Sequence, residues 1–297
     1  MTGPERGFLL LASHLGDPQR RPLTGPQLRT LGQRVREMTV ADPDRDLTED
    51  DLTALGYGRD MAARIAALLG EEERLDWYLR RAARAGCVLV TRVSAHYPVL
   101  LSRRMGLDAP AVLWARGDLD LLNAPAVSLV GSRNIAAENR KFAAEVGKQA
   151  AAQGLALVSG NARGADRTAQ DACLANGGAV ISVVADALAG QPLREKLLYL
   201  SEDGFDEAFS AQRALSRNRV IHALGWRVFV AQTGHQSGGT WDGTVKNLRA
   251  GWSDVYCFDD GSPGTAALRA MGAFSIEIAD LSDFASLPAR EPNFFDR

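Results

Sequence analysis

The 297-residue chain is short of lysine, histidine and cysteine, and each shortage excludes something. Lysine occurs only at 141, 148, 196 and 246, so nearly all of the 34 basic residues are arginine. With 36 acidic residues the net charge is −2 and the isoelectric point near 6.1, which excludes a protein coated in positive charge. Any nucleic acid must therefore bind at a local basic site. Four scattered histidines (14, 96, 222 and 235) and cysteines 87, 173 and 257 show no metal-ligand spacing. Three widely spaced cysteines in apolar surroundings read as buried thiols of a reducing cytoplasm. No apolar run is long enough for a membrane helix, and the N-terminus lacks the basic start and cleavage site of a secretory signal.

What is present is 46% hydrophobic residues and 24% charged ones, enough for a large core plus a smaller domain. Residues 1–72 read as short helices. Leu28, Leu31, Val35 and Met38 recur at helical spacing, and Asp46 or Thr48 can cap the following helix. From Leu52 to Leu69 two apolar stretches flank Gly56-Tyr57-Gly58, the pattern of a helix-hairpin-helix or SAM-like domain. There glycines let helix-start amides approach a phosphate, although a small helical bundle with a glycine turn and no ligand accounts for the pattern more simply.

Residues 73–297 follow another rhythm. Cys87 to Thr91 reads as a strand, and from Val127 onward short apolar runs (VSLV, LALV, AVISVV, WRVFVA, DVYCF and FSIEI) alternate with helices. Continuous apolar strands suit a mainly parallel, doubly wound Rossmann-like sheet whose post-strand loops share one edge. The first such loop is Gly131-Ser132-Arg133; the second runs from Ser159 to Asp166, with Gly160, Arg163 and Gly164 inside it. Glycine turns before helix starts favour an anion, and two of them after neighbouring strands would lie side by side. Phe209 and Trp241 lie near these loops and are candidate stacking rings as well as packing residues.

The run VSLVGSRNIAAENRKFAAEVGKQAAAQGLALVSGNARGAD resembles the centre of the DprA/Smf family of DNA-processing proteins. The family's order continues in the SE element at Ser201-Glu202, in Arg217-Asn218-Arg219, in the loop at Ser237-Gly238, and in PGTAALRAMGA. The resemblance spans about Leu75 to Ile278. It implies a cytoplasmic, non-enzymatic protein without cofactor or metal. Such a protein binds single-stranded DNA in natural transformation or recombination, forms a homodimer, and has the RecA recombinase as a candidate partner. By matched motif, Gly131, Ser132 and Arg133 contact phosphate. Ser159, Gly160, Arg163, Gly164 and Asp166 shape the adjacent pocket, and Ser237 and Gly238 belong to the later loop. Arg217 and Arg219 supply charge, with Asn218 orienting them; one of the two arginines could equally make a structural ion pair. The sequence departs from the family at Gln170, where a histidine is usual, and at Gln232, where many relatives carry an acid. It also ends soon after the last strand, where many relatives continue into a winged-helix domain.

The competing reading is a nucleotide-derived ligand sensor or N-glycoside hydrolase of the same superfamily, with Asp242 in SGGTWDGT as its one candidate carboxylate. A dinucleotide oxidoreductase is excluded more firmly, because GSRNIA lacks the glycines of GxGxxG.

Overall fold

Three of the first helices begin on reciprocal caps, in which a threonine side chain and an N3 side chain satisfy each other's backbone amides. The computed structural model describes residues 1–38 and 46–290. In it Thr2 and Glu5 start α1 (Gly3–Ala12), Thr24 and Gln27 start α2 (Gly25–Arg36), and Thr48 and Asp51 start α3 (Glu49–Ala54). Leu28 and Leu31 are buried as their spacing predicts, while Met38 lies beyond the end of α2. A turn at Gly56 (φ +82°) leads into α4 (Arg59–Leu69), and α5 (Glu72–Arg84) follows. Leu11, Leu31, Leu52 and Ile65 close a small apolar cluster among these helices. Leu9 and Leu10 point the other way, into the main core beside Tyr78 and Trp114. There Tyr78, Trp114 and Phe205 pack ring to ring, with centroids 4.9–5.3 Å apart, each pair contributing about 0.5–1.5 kcal/mol beyond its buried area.

The rest of the chain builds one nine-stranded sheet. In chain order its elements are β1 (Val88–Thr91), α6 (Val99–Met105), β2 (Val112–Gly117), β3 (Ala126–Val130), α7 (Ala137–Ala152), β4 (Ala156–Ser159), α8 (Ala165–Ala175) and β5 (Val180–Val183). They continue with β6 (Leu197–Ser201), α9 (Ala211–Ser216), α10 (Asn218–Leu224), β7 (Arg227–Val230), α11 (Gly238–Ala250), β8 (Asp254–Phe258), α12 (Pro263–Ala270) and β9 (Phe274–Ile276). The spatial order is β1-β2-β6-β5-β4-β3-β7-β8-β9, parallel from β6 to β9 and antiparallel where β2 joins β1 and β6. The mainly parallel, doubly wound arrangement expected from the apolar runs is therefore present. The strand expected at Cys87–Thr91 is β1, whereas β2 and β6 were not expected. Leu197–Ser201 is buried throughout, but it follows the polar stretch Gln191–Lys196 and has no period of its own.

Strand residues alternate between two cores, as the pleat requires. Val127 and Leu129 face α7 and α8, with Phe142, Ala143 and Ala169. Ala126 and Val130 face the opposite layer, with Ile221 of α10 and Val245 of α11. The chain leaves β3 for β4 on one side and returns to β7 on the other. This reversal of winding opens a crevice at the carboxyl ends of β3, β4 and β7.

Candidate nucleic-acid interface

The loops after β3, β4 and β7 are tied together by their own backbone. Ala165 N–H donates to the Ser132 carbonyl at 3.1 Å, and Ser132 N–H donates to the Gln232 carbonyl at 3.0 Å. The Gln232 side chain accepts from Ala136 N–H at 2.8 Å, just before α7 begins. Two glycines make this approach sterically permissible. A Cβ on Gly131 would strike the Ala165 methyl, and one on Gly164 (φ +91°) would strike the carbonyl oxygens of Ser132 and Arg133. Arg133 thus projects from a braced turn into solvent, and among the described residues it has no hydrogen-bond or ion-pair partner.

Two buried, opposite charges line the same crevice, with no ion pair between them within 4 Å. Arg217 and Asp166 are each 6% exposed. Arg217 Nη2 donates to the Gly160 carbonyl at 2.9 Å, and Asp166 accepts from Ala162 N–H at 3.3 Å. Burial raises the Asp166 carboxyl above its usual range, opposed by the Arg217 charge and the Ala162 amide. Burial likewise lowers Arg217; Asp166 counters this, and the like charge of Arg133 adds to it. Two guanidinium groups that repel each other across a crevice are both relieved by an anion placed between them.

The third wall is the start of α11. Ser237 occupies its N-cap without a side-chain capping bond, and Gly238 has φ +85°. Helix-start amides left without a partner carry the positive end of the helix dipole. Asn218 Nδ2 donates to the Gly239 carbonyl at 2.9 Å and holds this turn against α10. Opposite, α9 contributes Ala211, Ala214 and the exposed Leu215. The enclosed space is about 400 Å³. It has a cationic rim, a helix start and an apolar side, the combination that suits a phosphate and a base together.

Comparison with known proteins fits this geometry. Residues 88–280 match the family described as DNA recombination-mediator protein A. The chain belongs to that family. Against the DNA-processing protein DprA of Streptococcus pneumoniae it is 37% identical over 141 residues, 44% of this chain and 50% of that protein. Against DprA of Bacillus subtilis it is 29% identical over 274 residues, covering 86% of this chain and 90% of the other. The crystal structure of the Streptococcus pneumoniae protein superposes with a TM-score of 0.73 at 25% identity, covering 98% of this chain and 99% of that one. DprA of Helicobacter pylori, whose structure was described for its mode of single-stranded DNA binding, shares the fold. Its TM-score is 0.56 at 21% identity, over 66% of this chain and 94% of that one.

In this DprA-family chain the crevice gathers Gly131, Ser132, Arg133, Asp166, Arg217, Asn218, Ser237 and Gly238. Ser159 and Gly160 are buried at the end of β4, where Gly160 makes room for Arg217. Arg163 and Gly164 line a second concavity that shares only Arg133 with the first. Arg219 does not reach either one. It pairs with Glu202 and donates to the Asp108 carbonyl. Residues two apart on a helix face different sides, so Arg217 and Arg219 cannot both point into one cavity. Sequence reasoning passed over Thr233 and Gly234 of the β7 loop, which also line the crevice, and Arg140 of α7, which lines the second concavity. The position of Thr233 and Gly234 directly after a parallel strand was the available signal.

The departures from the family pattern have structural roles here. Gln170 is buried and donates to Ser182 Oγ at 3.3 Å, and Gln232 braces the β3 loop. Trp241 is half-buried beside His235, with ring centroids 5.9 Å apart, whereas Phe209 is 56% exposed near α9. Asp242 is exposed and outside the crevice, whose carboxylate is the buried Asp166. The hydrolase reading thus loses its candidate carboxylate, since glycoside cleavage needs one at the reacting sugar. Among the described residues no cluster of ligating side chains could hold a metal ion, and no helix is long and apolar enough to cross a membrane.

Proposed function

We propose that this protein binds single-stranded DNA at the carboxyl edge of its sheet and acts in DNA processing during natural transformation or recombination. The observation that carries the reading is the unpaired Arg133 standing over the buried Arg217 at the mouth of the crevice formed by the β3, β4 and α11 turns. On a chain of net charge −2, that local positive site is where a phosphate backbone would be drawn. The single-stranded DNA binding described for the Helicobacter pylori relative supports the same ligand.

The finer features belong to the same proposal. The protein works in the cytoplasm, in keeping with three buried, unpaired cysteines. It acts as a homodimer and hands its strand to the RecA recombinase. Residues 1–72 form a helical domain with its own small cluster, and 73–297 the Rossmann-like core.

Binding of a fluorescent oligothymidylate across a salt series tests the central claim. Wild type should bind with steep salt dependence. Arg133→Ala should weaken binding and reduce the slope by about 0.7, the share of one phosphate that is no longer neutralised. A tight, salt-insensitive mononucleotide complex with no oligonucleotide binding would refute it.

A further inference from the structure

Arg133 has a concavity on each side. The second, of about 710 Å³, is lined by Arg133, Asn134, Arg140, Arg163 and Gln232 among others. Its three arginines are exposed, and among the described residues none has a carboxylate within ion-pair distance. Neutral groups hold two of them in place: Arg163 donates to Asn134 Oδ1 at 2.9 Å, and Arg140 donates to Thr168 Oγ1 at 3.3 Å. The acid in the first turn of α7, Glu138, is already bonded to Lys141 at 2.8 Å. Because Gly164 packs directly on the Ser132 and Arg133 carbonyls, the turns bearing Arg133 and Arg163 are held in a fixed relation.

The two spaces differ chemically. The first has the apolar α9 side, against which a base can rest; the second gathers cations and amides, which suit a backbone phosphate. We propose that the second concavity is a separate phosphodiester subsite. It holds the backbone of a nucleotide adjoining the one in the first cavity, so that the strand crosses the β3 loop over Arg133 and leaves across the start of α7. This assignment rests on the single-strand reading of the site.

The test uses the full chain and two ligands, thymidine 5′-monophosphate read by competition and a labelled oligothymidylate of about eight nucleotides. The double variant Arg140→Ala/Arg163→Ala should leave mononucleotide affinity within about twofold. It should lower oligomer affinity about tenfold and flatten the salt slope by about 0.7 for each phosphate that these arginines neutralise in the wild type. Arg140→Lys/Arg163→Lys, which keeps both charges, should restore the slope; melting curves of both doubles establish that they fold. If the alanine double binds the oligomer like wild type while Arg133→Ala weakens it, the second subsite is wrong and the single-strand reading stands. Equal losses for mononucleotide and oligomer would also overturn it, since the subsites would not be separate. If Arg133→Ala too leaves oligomer binding unchanged, the single-strand reading itself fails.

Discussion

Gly160 and Arg217 occupy one space. The guanidinium lies where a Cβ on residue 160 would be, and its Nη2 donates to the Gly160 carbonyl at 2.9 Å. The glycine after β4 is therefore needed for the placement of an arginine 57 residues later, on a different element.

Gly160→Ala should push the Arg217 guanidinium out of its place at the Gly160 carbonyl and shift the charge that counters the buried Asp166. Overpacking of this kind costs about 1–3 kcal/mol. Urea denaturation should show that loss, and oligonucleotide titration should show weakened binding in the folded variant. Unchanged values in both would mean that the guanidinium can relocate freely.

Gly164→Ala meets a harsher constraint, because the obstructing atoms are backbone oxygens of Ser132 and Arg133 and φ is +91°. Strain at such a position adds about 1–3 kcal/mol to the steric clash. The expected result is a lower melting temperature than for Gly160→Ala, with the β3 and β4 loops pushed apart.

Arg219→Ala separates stability from binding. Its partner Glu202 has a side chain only 5% exposed, and burial raises that carboxyl against the pull of Arg219. Removing one member of such a pair costs about 3–5 kcal/mol. Thermal melting should fall sharply, while the affinity of the remaining folded protein for single-stranded DNA stays near wild type. Selective loss of affinity with normal melting would place Arg219 at the DNA instead.

His222 gives a pH signature. It is fully buried, and burial pushes its imidazole down to about 3. An unfolded histidine titrates near 6.5, so between these values the unfolded state binds the extra proton. The stabilising contribution is complete above about pH 6.5 and declines as pH falls toward 3, by at most about 1.4 kcal/mol per pH unit. Urea midpoints for wild type and His222→Gln at pH 7, 5 and 4 should converge on acidification. Parallel curves would rule out this histidine as the titrating group.

The order of apolar runs and glycine turns was enough to identify seven of the nine strands, the doubly wound class and the first βα turn, since those follow from local periodicity and from what glycine alone can do. It also brought Arg133 to the site, because a residue directly after a parallel strand has only one edge to occupy. The fates of Arg217 and Arg219 lay beyond it. Both read as cations in one short motif, but helix phase and the distant Glu202 sent one inward and the other to an ion pair. Strand β6 escaped notice because its burial comes from β2 and β5 on either side, not from its own pattern. Local chemistry travels with the sequence, whereas burial, helix phase and charge pairing depend on which distant segments the fold brings into contact.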